Sequence, residues 1–121
     1  MNNLSVENRK DADNLLMRWG NWAAANGHYQ GYPNMSTFRR LQGQAIGSAG
    51  LTDEEGSKID EIISQLGRSE KKAVEVVVMY YIHGFDLKGM THHIGVKFGK
   101  ARELRELAIT WVTASLFGDT V

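Results

Sequence analysis

Three basic residues, Lys97, Lys100 and Arg102, lie close together after Gly95 in the C-terminal half of the chain. Their spacing places them on the first turn and a half of a predicted helix that begins near Phe98. A lysine or arginine at such a position can bond to the edge of a guanine or neutralise a phosphate. The competing interpretation is an ordinary solvated helix face. Because a glycine turn and a short amphipathic segment precede the cluster, we interpret it as a DNA-binding surface.

The charged neighbours of this cluster have more than one interpretation. Glu103 can accept a hydrogen bond from a cytosine amino group, but pairing with Lys97 or Lys100 is the simpler expectation. Arg105 and Glu106 lie further along the predicted helix, where backbone contact or solubility is the expected role.

The segment before Gly95 adds two candidate contacts, Lys88 and His92. A helix in this position crosses the phosphate backbone in a helix-turn-helix unit, so both side chains are predicted phosphate contacts. His92 and His93 point about 100° apart on a helix, and without a cysteine or a histidine one turn away they do not predict a metal site. The chain has no catalytic motif or nucleotide-binding glycine loop, so we expect neither an enzyme nor a bound cofactor.

Hydrophobic periodicity predicts an all-α chain. The predicted helices run from Ser5 to Ala25, from Met35 to Leu41, from Thr52 to Leu66, from Ser69 to His83, from Leu87 to His93 and from Phe98 to Phe117. A loop at 26–34 and a flexible connection at 42–50 separate them. The inward residues of the last helix are predicted to be Ala101, Leu104, Leu107, Ala108, Trp111, Val112 and Leu116. Trp19, Trp22 and Trp111 share this helical spacing, which indicates core packing rather than stacking on bases.

Local signals mark the ends of two of these helices. Thr52, with Glu55 three residues later, has the pattern of a capping box. Gly67 is predicted to end that helix, and Ser69 to cap the next one. The next helix contains Val76–Val78, which favour a strand by propensity. We expect a helix because the run lies between a cap and a stop, at helical length and with no partner strand.

The chain carries no net charge, but its charges are segregated. Segment 51–63 is mainly acidic, whereas segment 88–105 is mainly basic. A net charge of zero is therefore compatible with a basic surface for DNA and a separate acidic surface for a protein. Asp60 and Glu61 are the candidates for the acidic surface. The alternative is that the acids only favour a helix N-terminus and solubility.

Length, apolar content and the absence of cysteine predict one domain over 1–121 in a reducing compartment. No apolar run is long enough to span a membrane, and the first residues lack the basic start and apolar core of a secretory signal. The predicted helix-turn-helix unit lies within 73–117.

Sequence motifs at 80–84 (YYIHG) and 86–96 (DLKGMTHHIGV), followed by a basic-led helix, resemble the helix-turn-helix of sigma-factor region 4. The same order appears in the Q antitermination proteins of lambdoid phages. Trp19-Gly20-Asn21-Trp22 followed by Gly31-Tyr32-Pro33 resembles the paired tryptophans and Gly-Tyr-Pro turn of the cysteine-free Q type. The similar order runs from Trp19 to Leu116. Gly89 and Arg105 depart from the family pattern, which usually has a helix former and often a leucine at those positions.

The resemblance implies a phage late-gene antitermination factor in the host bacterial cytoplasm. Such a protein binds double-stranded DNA near the late promoter and joins paused RNA polymerase holoenzyme, which then reads through terminators. By the same resemblance, Tyr32 and Pro33 become candidate polymerase contacts beside Asp60 and Glu61. The alternatives are a DNA-binding packaging protein of the small-terminase kind, a recombination protein, or a simple helix-turn-helix repressor. The sequence leaves the oligomeric state open.

Overall fold

The computed structural model of the chain describes residues 6–28 and 50–118. Within these ranges the chain is all-α, with five α-helices and no strand. The helices are α1 (Val6–Ala25), α2 (Asp53–Ser69), α3 (Lys71–Val77), α4 (Leu87–Ile94) and α5 (Phe98–Phe117). A π-helical turn at Val78–Ile82 continues α3. The predicted short helix Met35–Leu41 lies outside the described residues, as do most of the predicted loop and the flexible connection.

The beginning of α2 follows the predicted capping box. The Thr52 hydroxyl accepts a hydrogen bond from the Glu55 N–H at 3.1 Å, and the Thr52 N–H donates to Glu55 Oε1 at 2.9 Å. Both bonds satisfy backbone or side-chain groups that the first helical turn would otherwise leave without a partner. The sequence pattern therefore located this helix start correctly.

The end of α2 differs from the prediction. Gly67 does not stop the helix, which continues to Ser69. A Cβ at Gly67 would lie 3.1 Å from Val74 Cγ2, so the glycine allows α2 to pass close to α3. Ser69 does not cap α3 either, because its hydroxyl donates back to the Leu66 carbonyl at 3.3 Å and Glu70 takes the cap position.

The valine run is helical, as predicted. Val76 and Val77 lie in α3 and Val78 begins the π turn, and all three are fully buried. Their burial between the surrounding helices outweighs the strand propensity of β-branched residues. The π turn itself was not predicted; the His83 N–H donates to the Val78 carbonyl, five residues back, at 3.2 Å.

The π turn packs closely against α1 at a glycine. A Cβ at Gly20 would clash with the carbonyl oxygen of Tyr81. Only glycine lets the two backbones approach to this distance, so Gly20 determines how α1 crosses the π turn.

Every helix contributes to one hydrophobic core. The largest fully buried side chains are Trp19, Leu16, Ile63, Leu66, Met79, Met90 and Leu104, together with several valines. Trp19 is a core residue as predicted, whereas Trp22 and Trp111 pack against the core partly buried. The indole N–H of Trp22 donates to Asp53 Oδ1 at 3.0 Å and that of Trp111 to the Ile62 carbonyl at 3.0 Å.

One predicted inward residue of α5 is wrong. Leu107 is 40% exposed, while Leu104, Ala108 and Val112 are buried. Leu107 lies about 60° around the helix from Leu104 and about 100° or more from Ala108 and Val112. It therefore falls outside the stripe that faces the core.

Candidate nucleic-acid interface

The helix α4 has a defined beginning and end. The Asp86 carboxylate caps it by accepting a hydrogen bond from the Gly89 N–H at 2.6 Å. A Cβ at Gly89 would lie 2.8 Å from that same Asp86 oxygen, so a larger residue would disturb the cap. This contact gives a local reason for the unusual glycine in α4. Gly95 ends the helix in the left-handed conformation, with φ of 78°, and its N–H donates to the Thr91 carbonyl at 2.9 Å.

Two contacts hold α4 against the rest of the fold. Met90 and Ile94 are buried on its inner face. Lys72 of α3 donates from Nζ to the Ile94 carbonyl at 3.2 Å, at the C-terminal end of α4. A cation at this end also interacts favourably with the helix dipole. The position of α4 is therefore set from both its face and its end.

Residues 95–97 form the connection between α4 and α5. A three-residue turn that contains a left-handed glycine is typical of a helix-turn-helix connection. Helix α5 then begins at Phe98, with Lys97 in extended conformation at the cap position and no side-chain cap. Its inner face carries the buried residues Ala101, Leu104 and Ala108, so the opposite face of its first turns lies at the surface.

All six predicted DNA-contact residues have exposed side chains. Lys88 and His92 lie one turn apart on α4 and share a face. The other four lie at the cap position or on the first two turns of α5. These four are Lys97, Lys100, Arg102 and Glu103.

The expected pairing of Glu103 is not found. Within residues 6–28 and 50–118, the ion pairs join Arg9 to Glu106 and Arg105 to both Asp13 and Glu106. None of them includes Glu103, Lys97 or Lys100, which extend from the helix into solvent. The charges of the two lysines are therefore not neutralised by a described acidic residue.

Arg105 has a structural role that the sequence interpretation missed. Its Nη2 donates to Asp13 Oδ1 at 3.1 Å, and its guanidinium lies 4.6 Å from the centre of the Tyr80 ring. The Tyr81 hydroxyl donates to the same Asp13 oxygen. The network joins α1, the π turn and α5. Its members are up to 92 positions apart in sequence, so no local pattern predicts it.

The charge states in this network are firmly held. Burial raises the pKa of Tyr81, with Arg105 opposing and Asp13 adding to the shift. Burial by itself would lower the pKa of Arg105, but the neighbouring Tyr81, Tyr80, Asp13 and Glu106 raise it overall. Arg105 therefore stays charged and Tyr81 stays neutral, and the contacts of Arg105 with Asp13 and Tyr80 hold its side chain within the fold.

The acidic residues of α2 divide into two groups. Asp53 and Glu55 serve the fold, the first by accepting from Trp22 and the second through the capping box. Hydrogen bonds from the backbone and side chain of Thr52 lower the pKa of Glu55 below its ordinary value of 4.5. Glu54 and Glu61 are exposed.

The predicted polymerase contacts have different positions. Glu61 is at the surface, whereas Asp60 is half-buried and has an interaction within the fold. Tyr32 and Pro33 lie outside the described residues.

The acidic helix and the basic residues adjoin different halves of α5. The bond from Trp111 to the Ile62 carbonyl places the middle of α2 beside the C-terminal half of α5. Trp111 is about 16 Å along the helix axis from Lys100, at 1.5 Å per residue. The described part of the chain thus keeps the sequence's segregation of charge in space.

Two other classes of site are absent from the described ranges. No group of three or more histidine, cysteine, aspartate or glutamate side chains is arranged to hold a metal ion there. No helix in these ranges has the length and apolar character needed to cross a membrane.

Comparison with protein families gives one match that spans nearly the whole chain. The family described as Phage antitermination protein Q matches residues 9–116. Curated proteins and solved structures give no significant match. The matched range begins three residues into α1 and ends in the last turn of α5. It therefore includes nearly all residues of the five described helices.

Proposed function

The chain belongs to the phage antitermination protein Q family, and we propose that it binds duplex DNA near a late promoter and then joins RNA polymerase. Family membership carries a general role in phage transcription antitermination. The observation that supports the DNA-binding step is the exposed cluster Lys97, Lys100 and Arg102 directly after the left-handed Gly95 turn.

In this proposal α5 is the recognition helix of a sigma-region-4-like helix-turn-helix. Lys100 and Arg102 reach base edges or phosphates, and Lys97 contacts a phosphate at the start of the helix. Lys88 and His92 share the exposed face of α4 and contact the phosphate backbone from there. Glu103 has no ionic partner among the described residues, which leaves its carboxylate available to accept from a cytosine amino group.

The second step is contact with bacterial RNA polymerase holoenzyme through a surface away from these cations. Glu61, together with the exposed Glu54, is our leading candidate on α2. Tyr32 and Pro33 stay candidates from the family resemblance. The half-buried Asp60 is less suitable because it already has an interaction within the fold. An acidic surface suits a protein partner because DNA would repel it.

The proposed mechanism uses binding energy and no chemical step. Contacts with DNA bring the protein to polymerase paused just downstream of the promoter, in the cytoplasm of the host. The protein then stays with polymerase and stabilises a state that resists pausing and termination. The protein can shift the equilibrium between the terminating and the resistant state of polymerase only by the difference between its binding free energies for the two states.

The experiment that tests this function is transcription with purified host polymerase on a template with the late promoter and a downstream terminator. We expect the protein to raise the fraction of transcripts that pass the terminator without lowering initiation. A repressor would lower initiation instead. A packaging or recombination protein would bind DNA and change neither quantity, and either result would remove the antitermination proposal.

A further inference from the structure

The first residue of α5 is an exposed aromatic side chain. Phe98 is 50% exposed, more than Leu107 and Phe117, the other large apolar side chains at the surface of the described residues. Exposed apolar residues are common singly and need no partner. Phe98 differs because it stands among the basic residues that we assign to DNA.

The charges around Phe98 favour an anionic partner. Lys97 precedes it, Lys100 and Arg102 follow within the next turn, and the first turn of α5 contains no acidic residue. Phe98 and Arg102 lie four positions apart and therefore on the same side of the helix. A partner that covers the ring must therefore also approach Arg102, whereas Lys100, two positions from Phe98, lies about 160° around the helix.

Gly99 leaves the surface beside the ring open. A Cβ at this position would have nothing within 4 Å, and the backbone is not in the left-handed region that requires glycine. Neither packing nor conformation in the described fold explains a glycine here, although glycine weakens a helix relative to alanine. Gly99 lies opposite the buried Ala101, Leu104 and Ala108, so it is the point of the helix that a groove would approach most closely.

We propose that Phe98 is a specificity residue that packs against the 5-methyl group of a thymine in the DNA major groove. This inference rests on the proposed function and deepens it. The thymine methyl is the apolar group that the major groove displays, and phenylalanine is among the side chains that contact it. The bare backbone at Gly99 gives the helix room to enter, and the flanking cations contact phosphates or base edges. Base reading by apolar contact thus adds to the polar readout of the cations.

The test replaces single thymines by deoxyuridine, which lacks only the 5-methyl group. A duplex site is first selected from a random library with the wild-type chain, and each thymine is then replaced in turn. At one position the replacement should lower wild-type affinity about fourfold, the effect of exposing one methyl-sized group again. Phe98→Ala should bind the thymine site more weakly than wild type. Its affinity should not fall further when that thymine is replaced by deoxyuridine.

Two variants serve as controls. Phe117→Ala removes an exposed ring at the far end of α5 and should keep the full dependence on the thymine methyl. Phe98→Leu retains an apolar side chain and should retain part of the dependence on the thymine methyl. Circular dichroism of each variant verifies that it is folded before affinity is compared.

The inference is overturned if deoxyuridine lowers the affinity of wild type and Phe98→Ala by the same factor, or if no replacement affects wild type. Those results would not contradict the proposal that the chain binds DNA. A wild-type chain that enriches no duplex at all would instead overturn the DNA-binding proposal and this inference with it.

Discussion

At the scale of single residues, two arginines of α5 have opposite roles although they are near neighbours on the helix. Arg102 extends into solvent, while Arg105, three positions later, turns towards Asp13 and Tyr80. Composition and charge alone do not distinguish the two arginines, because both lie in the basic segment 88–105. Only the packing of α1 and the π turn against α5 separates a cation used by the fold from a cation free for a ligand.

The first prediction concerns the exposed cations. Lys100→Ala and Arg102→Ala should each weaken DNA binding by about 1–3 kcal/mol if the side chain reads a base. If the side chain contacts a phosphate instead, its removal should weaken binding to all DNA sequences alike. It should also lower the slope of log affinity against log salt concentration by about one per contact. Fluorescence anisotropy at several salt concentrations measures both quantities. Unchanged affinity in the double variant would exclude this part of α5 from DNA binding.

The second prediction is the converse for Arg105. Arg105→Ala should lower the free energy of unfolding by about 1–3 kcal/mol, because Asp13 would lose a charged hydrogen-bond partner in a half-buried setting. Its DNA affinity, corrected for the folded fraction, should stay near that of wild type. Chemical denaturation compares it with Arg102→Ala as the control on the same helix. If Arg102→Ala destabilises the chain as much, the network does not have the role we assign to it.

At the scale of helices, the structure was predictable where the determining contacts are local. The capping box at Thr52 and the stop at Gly95 follow from residues a few positions apart, and α5 has the predicted bounds. Predictions failed where distant residues decide. Gly67 is a predicted helix stop, but α2 continues through it and passes close to Val74 of α3.

The π turn and the Arg105 network belong to the same class of long-range features. Each depends on the close approach of α1, which Gly20 permits. The pattern of the candidate DNA surface was recognisable because its residues lie within one short segment, 88–103. The role of Arg105 was not, since it depends on which side chains other elements bring to it.

The third prediction uses the capping box of α2. Thr52→Ala should cost about 1 kcal/mol of stability near neutral pH, the usual effect of removing a threonine cap. Glu55 adds a contribution that depends on pH. Because its pKa is lowered in the folded chain, this contribution is fully present above the ordinary value of 4.5 and disappears as pH falls through the lowered value.

Unfolding of wild type and Glu55→Ala, followed by circular dichroism from neutral to acidic pH, measures the Glu55 contribution. We expect the difference in stability to narrow as the pH falls below 4.5. Glu54→Ala, next to it but outside the capping box, is the control. Parallel curves for the two variants would contradict the assigned role of Glu55.

At the scale of the whole molecule, the two proposed surfaces are kept apart by the packing of α2 on α5. The contact between Trp111 and Ile62 holds the acidic helix beside the C-terminal half of α5, away from Lys100. A protein that must hold DNA and polymerase together benefits from such separation, because each partner then meets a surface of complementary charge.

The fourth prediction tests this separation. Glu54→Lys combined with Glu61→Lys should leave the affinity for DNA at or above the wild-type level, while readthrough of the terminator falls. The control is Glu7→Lys combined with Asp11→Lys, which reverses two exposed acids on α1. Anisotropy and transcription assays on the same preparations give both readouts. Equal loss of readthrough in the two double variants would show a general charge effect in place of a specific polymerase surface.

The most direct test of the central proposal, that DNA binding delivers this protein to polymerase, is readthrough on two templates. They share promoter and terminator, and the selected binding site is intact in one and scrambled in the other. We predict that wild type raises readthrough only on the intact template, and that the Lys100→Ala, Arg102→Ala double variant does so on neither. Binding to the intact site without any rise in readthrough, or an equal rise on both templates, would contradict the proposal.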